Sequence, residues 1–260
     1  MALIRTRGLR ALFVLTAVTT ALVASPALAA DEQPQGADLL GNSFGLRYQY
    51  RTLNAAESGN GVAGAIDNGL GLRWQGRWDQ WLWRLDGDRD RANLRLADGF
   101  SPLSPDATVA SPESFETSLS LGRVWSVAGA AAWAPYLALD YRSLQANNTG
   151  SRYTGTALDF NQTWLAPGVG VAAEWAPHPR LVLSADVAWY PVAAVTMTGA
   201  PYDLTGTWGL KPGLSLGFSP TPGIRVEAAY RHDLWRASGF ALDSDVITLG
   251  LTSRPQEVVR

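Results

Sequence analysis

Two stretches decide the fold: Phe44-Gly-Leu-Arg-Tyr-Gln-Tyr-Arg51 and Gly69-Leu-Gly-Leu-Arg-Trp-Gln-Gly-Arg-Trp78. In the first, Phe44, Leu46, Tyr48 and Tyr50 alternate with Gly45, Arg47, Gln49 and Arg51. In the second, Leu70, Leu72, Trp74 and Trp78 alternate with Gly71, Arg73, Gln75 and Arg77. Successive side chains of a strand point to opposite faces, so each run has one greasy, aromatic face and one cationic face. A soluble sheet with a buried apolar face does not set large aromatics against an arginine-lined face strand after strand. A barrel wall in a membrane does.

The same period returns along the chain, near 42–53, 63–78, 81–90, 114–127, 132–144, 163–176, 180–194, 206–219, 224–237 and 244–253. Short connections (Asp79-Gln80, Ala128 to Ala131, Pro177-His178-Pro179, Pro220 to Gly223) alternate with longer ones at Asn54 to Asn68, Arg91 to Glu113, Gln145 to Gln162, Thr198 to Leu204 and Ser238 to Asp243. The longer ones are rich in Gly, Ser, Asn, Asp and Pro. This is an up-and-down meander of about ten strands, an even number that returns both ends to one side. Short turns mark the periplasmic side of such a barrel. Trp78, Trp81, Trp125, Trp133 and Trp175 lie within a few residues of them and are expected to form an aromatic girdle at that interface. Tyr48, Tyr50, Tyr141, Trp164, Trp189 and Trp208 lie toward the longer loops and are expected at the outer interface.

Ahead of the strands, Arg5, Arg7 and Arg10 precede an apolar stretch from Ala11 to Val23, and Ala27-Leu28-Ala29 supplies a small-x-small cleavage pattern. Residues 1–29 therefore read as a secretory signal peptide, too short in its apolar part to span a membrane. Residues 30–41 read as a periplasmic N-terminal tail, and residues 254–260 as a C-terminal tail. The chain has no cysteine, so it is built without disulfides although its expected compartment permits them. A net charge of -2 argues against nucleic acid as a partner, since a phosphate-binding surface leaves a basic excess. Eleven tryptophans in 260 residues fit the girdle reading better than a soluble core.

Over residues 42–253 the pattern resembles the bacterial outer-membrane β-barrel superfamily of Gram-negative cells. The expected fold is all-β, a transmembrane up-and-down antiparallel β-barrel of about ten strands. The resemblance implies an integral, multi-pass protein of the outer membrane. Its partners would be outer-membrane lipid, including lipopolysaccharide, and other envelope proteins. One departure stands out: such barrels usually end their last strand on an aromatic residue, and Val246 to Thr252 has none.

Carried through by parity, the inward set includes Arg47, Arg51, Arg73, Arg77, Arg84, Asp86, Asp88, Glu116, Asp140, Arg142, Glu174, Asp186, Lys211, Arg225, Glu227, Arg231 and Asp233. The two signs nearly balance, and this set is the expected lumen charge network. Ser118, Ser120, Gly122, Ala166, Gly168, Gly170, Gly213, Ser215 and Gly217 give part of the wall small side chains, across which guanidinium groups can reach carboxylates opposite. An unpaired buried charge costs several kcal/mol, so the set is expected to pair. A two-residue turn at Asp79-Gln80 sets Trp78 against Trp81, Gly76 against Trp83, Gln75 against Arg84 and Arg73 against Asp86.

Chemistry beyond charge pairing has little to work with. Asp86-Gly87-Asp88-Arg89-Asp90 opens like a calcium loop, but the sixth position is Arg91 and the twelfth Ala97, so no metal site is expected. The two histidines are His178, between prolines, and His232, on the outward parity. Asp86 and Asp88 with His232 and Asp233 resemble the aspartate pair and Asp-His pair of omptin-type proteases, but Arg231-His232-Asp233 departs from the Asp-x-His spacing. Neither histidine has the His-x-Ser arrangement of barrel phospholipases and lipid A deacylases. The reading is a non-enzymatic protein with no cofactor and no catalytic residues, either a narrow porin-like pore or a structural anchor with surface loops. The alternatives are an outer-membrane component of an envelope-spanning machine for secretion, polysaccharide export or motility, and an omptin-like rim hydrolase.

Overall fold

Each alternating run leaves a row of backbone N–H and C=O groups on both edges, and these groups find partners around a closed ring. The structure is a computed structural model and describes residues 39–57, 60–95, 108–110, 113–127, 130–146, 160–198, 206–238 and 240–254. Ten strands form the ring: β1 (Ser43–Glu57), β2 (Asn60–Trp78), β3 (Trp81–Arg95), β5 (Glu113–Arg123), β7 (Ala131–Ala146), β8 (Phe160–His178), β9 (Leu181–Tyr190), β11 (Trp208–Thr221), β12 (Ile224–Ala237) and β13 (Phe240–Ser253). Three short pieces prolong it: β4 (Thr108–Ala110) on β3, β6 (Trp125–Val127) on β7 and β10 (Ala194–Thr198) on β8. All neighbours are antiparallel, and β1 closes on β13 from Phe44↔Ser253 to Glu57↔Phe240. The seam is complete without a terminal aromatic on the last strand, and no edge is left open there.

The wall is apolar outside and polar inside. On β5, Phe115, Leu119 and Leu121 are about half exposed while Ser114, Glu116 and Ser120 are buried. The five tryptophans of the expected girdle all stand exposed at the short-turn end. Of the outer aromatic set, Tyr48, Trp189 and Trp208 face outward, but Trp164 does not: it is 3% exposed and shares the inward parity of Ala166. Its place among loop-proximal aromatics had suggested an interface residue, and strand parity overrides that position.

The second hairpin has the register expected from sequence, with Arg73↔Asp86, Gln75↔Arg84, Gly76↔Trp83 and Trp78↔Trp81 paired. Asp79 takes up the left-handed conformation (φ 53°) that lets a turn this tight proceed without glycine. A Cβ at Gly76 would fall inside the Trp83 indole, so the ring lies directly over the opposing glycine backbone.

The connections differ from expectation at the other end. Most of Asn54 to Asn68 is strand, since β1 and β2 stay paired out to Ala56↔Gly61 and Glu57↔Asn60, past a register shift at Asn54/Ala55. Likewise β12 and β13 pair up to Ala237↔Phe240, and β7 and β8 up to Ala146↔Phe160. The added stretches of β1 and β2 are rich in Gly, Ala, Asn and Asp, so the alternation lapses although the backbone ladder continues. Of residues 30–41, those described are folded against the barrel: Leu39 and Leu40 are buried at the short-turn mouth. Residues 1–38 and 255–260, and with them the expected signal peptide, lie outside the described residues.

Candidate functional site

The inward residues are organised in layers along the lumen. At the short-turn end, the backbone N–H of Leu40 donates to Glu174 Oε2 at 2.7 Å, and Gln75 Nε2 donates to the carbonyl of Gly41 at 2.9 Å. Arg225 and Arg254 each approach Glu174 at 3.5 Å. Arg77 sits at the rim, its Nε donating to the carbonyl of Asp79 and its backbone N–H to Asn42. The Leu39-Leu40 segment thus corks the mouth, tied down by a carboxylate that two arginines hold in place.

Above it, Arg47 bridges Asp86 at 2.8 Å and Asp88 at 2.7 Å, and Arg73 meets Asp86 at 2.7 Å and Glu227 at 3.8 Å. From the same strand as Asp86, Arg84 reaches across to Asp186 of β9 at 3.0 Å, and the Tyr136 hydroxyl donates to Asp186 at 2.7 Å. These groups surround a cavity of about 160 Å³, with Ser118, Ser120, Ser184 and Ser215 completing its wall. Side chains this short are what leave the space.

The next layer is a knot centred on Glu116. It receives Arg51 of β1 at 2.7 Å, Lys211 of β11 at 2.9 Å and Arg231 of β12 at 3.0 Å. Lys211 also reaches Asp140 of β7 at 2.5 Å, and Arg231 reaches Asp233 at 2.6 Å. Arg142 is buried on the same strand as Asp140. Gln49 donates to Asp90, which lies 3.6 Å from Arg51. The pairs join strands on opposite sides of the ring, so the charged side chains cross the lumen.

An aromatic layer caps the knot. Trp235 is stacked on Tyr190 and meets Trp164 edge-on, and the Lys211 ammonium lies 5.4 Å from the centres of both the Tyr190 and the Trp235 ring. Cation–π attraction of this kind favours keeping the charge where water is scarce. Tyr136, Tyr190, Trp164 and Trp235 were absent from the inward set drawn from sequence. Parity places each of them there, since each stands an even number of residues from a charged member of its own strand. The roles of Leu39, Leu40 and Arg254 had no such signal, because they lie beyond the alternating runs.

His232 lies on the other side of the wall. Its Nδ1 is 2.9 Å from Asp245 Oδ1, to which the Tyr230 hydroxyl also donates. His178 accepts the backbone N–H of Arg180 in its turn. Among the described residues, no group of three or more His, Cys, Asp and Glu side chains is placed to hold a metal.

No family model matches the sequence, and no curated protein matches it. Among solved structures, the outer membrane protease OmpT of Escherichia coli is similar at 11% identity, covering 86% of this chain and 98% of its own, with a TM-score of 0.50. The fold shared with that outer-membrane protein is a closed antiparallel β-barrel. An outer membrane channel of Pseudomonas putida F1 aligns at 12% identity over 86% of this chain and 99% of its own, with a TM-score of 0.47. The Neisserial surface protein A aligns at 10% identity over 82% and 97%, with a TM-score of 0.38. The likeness to OmpT is one of fold. In this barrel the omptin-like set does not converge: Asp86, Asp88 and Asp233 are held by lumen arginines, and His232 lies on the outer face of the wall.

Proposed function

We propose that this outer-membrane barrel is a non-catalytic anchor with a closed lumen, presenting its surface loops and N-terminal segment to other components of the envelope. The observation that carries this reading is the Glu116 knot, where one carboxylate takes cations from three other strands. Moving any one of those side chains takes a partner from carboxylates that stay buried, and breaking a buried ion pair costs several kcal/mol. The aromatic layer above and the Leu39-Leu40 cork below argue the same way. The narrow-pore reading draws on the cavity between them, which needs both barriers to yield before it joins the two sides. Planar-bilayer recording of the purified protein separates the two. An anchor gives no single-channel steps, and stable, reproducible steps from the wild-type protein would overturn the reading.

A further inference from the structure

The outer surface of a membrane barrel is packed by whatever the bilayer supplies, so a depression there is a site for lipid. One depression is well formed in this wall. Two neighbouring rows of paired residues cross from β3 to β9. In one, Trp81 is paired with Arg123, Pro135 with Val171, and Val171 with Val187. In the other, Leu121 is paired with Leu137, Leu137 with Val169, and Val169 with Trp189. The indoles of Trp81 and Trp189 stand at the two ends, while the middle is floored by proline, valine and leucine. Large ends and a short middle make a groove of about 660 Å³, within the roughly 300–1,000 Å³ usual for small-molecule sites.

The groove has one charged residue, Arg123, at its short-turn end. This guanidinium is exposed and lies 5.6 Å from the centre of the Trp125 ring. Its hydrogen bonds go to a neutral partner, with Nε and Nη2 donating to Gln80 Oε1 at 2.9 and 2.6 Å. The lumen arginines Arg47, Arg51, Arg73, Arg84 and Arg231, by contrast, are paired with carboxylates. An arginine held by an amide beside a tryptophan girdle keeps its full positive charge at the level of the headgroups. A phosphate complements it, since a guanidinium offers several N–H donors in a planar fork.

We propose that this groove is a binding site for one phospholipid of the periplasmic leaflet, the acyl chain lying along Pro135, Val171 and Val187 and the phosphate bound by Arg123. The periplasmic assignment follows from the short turns at Asp79-Gln80 and between β6 and β7, which flank Arg123. Trp81 and Trp125 frame the headgroup and Gln80 orients the guanidinium toward it. The site gives the barrel a preferred lipid at one place on its circumference, in contrast to the unselective contact of the remaining wall.

The test is native mass spectrometry of the folded protein, released from detergent after incubation with phosphatidylglycerol. Folding of every variant is checked by heat-modifiable migration. The wild type should retain one lipid per barrel after stepwise activation. Arg123→Gln should lose at least about tenfold in lipid occupancy, and Val171→Trp, which fills the floor of the groove while sparing Arg123, should lose it too. Substitution of an arginine at another exposed position, Arg89→Gln, should leave occupancy unchanged. Equal retention by wild type, Arg123→Gln and Val171→Trp would overturn the proposal, as would equal losses from Arg89→Gln and Arg123→Gln.

Discussion

Lys211, the only lysine of the chain, shows what a single charge contributes to this barrel. Its ammonium is shared between Glu116 and Asp140, and both carboxylates are buried. Lys211→Ala leaves them facing one another with one fewer cation, a change that costs about 3–5 kcal/mol when a buried pair is broken. The loss is expected as a lowered urea midpoint for unfolding from lipid vesicles. His232→Ala removes a side-chain contact that is about one-third exposed on each side, for which about 0–1 kcal/mol is expected. The same denaturation series should therefore place His232→Ala near wild type, and a large loss there would show that the outer cluster is structural. Asp86 is a third case. It is held by Arg47 as well as Arg73, so Arg73→Ala alone should cost less than Asp86→Ala, and Arg73→Ala added to Asp86→Ala should cost little more. Additive losses in that cycle would contradict the shared carboxylate. The Arg73–Asp86 pair was legible in the sequence because a turn and a parity suffice to place it. Contacts across the lumen, such as Arg51 with Glu116, were not, because they depend on how far the ring curves.

At the scale of elements, the second hairpin is the best specified. Its two faces demand the same register: tryptophan over glycine outside, arginine against aspartate inside. A slip of one residue would turn the whole charged set to the outer, apolar face. The turn itself is the weaker part, since Asp79 holds a positive φ that a β-branched residue tolerates poorly. Asp79→Val is expected to destabilise the barrel by about 1–2 kcal/mol, while Asp79→Gly should be neutral or slightly stabilising, both read from unfolding midpoints. The upper ends of β1, β2 and β13 were the least legible elements, whereas β12 runs over the 224–237 expected from its alternation. Those stretches hold Gly, Ala, Asn and Asp in place of a clear apolar-polar alternation, although hydrogen-bond pairing goes on. The cork was hidden for a different reason: Leu39 and Leu40 are two apolar residues in an irregular segment, and only the barrel mouth makes them interior.

For the molecule as a whole, closure and the inverted polarity make one prediction together. A ring with no open edge resists detergent, so the unboiled protein should migrate differently from the boiled one on a denaturing gel. Identical migration would contradict the closed ring. Sidedness can be read from cysteines placed at two exposed turn positions, Ser238 and Arg180. An impermeant maleimide on whole cells should label Ser238→Cys and spare Arg180→Cys, and the reverse would invert the barrel.

The seam between β1 and β13 is as fully paired as the seams between strands that follow one another in the chain, and the Arg254 N–H is bonded to the carbonyl of Gly223 at 2.7 Å beside it. The first and last strands are therefore ordinary neighbours, and the architecture has no privileged starting point. A circularly permuted chain, with Arg254 joined to Leu39 through a short flexible linker and new ends opened at the Pro179-Arg180 turn, should refold from urea into detergent micelles with the same cylinder and the same interior. Such a permutant would move the polypeptide's beginning and end around the circumference while leaving every layer of the lumen where it stands.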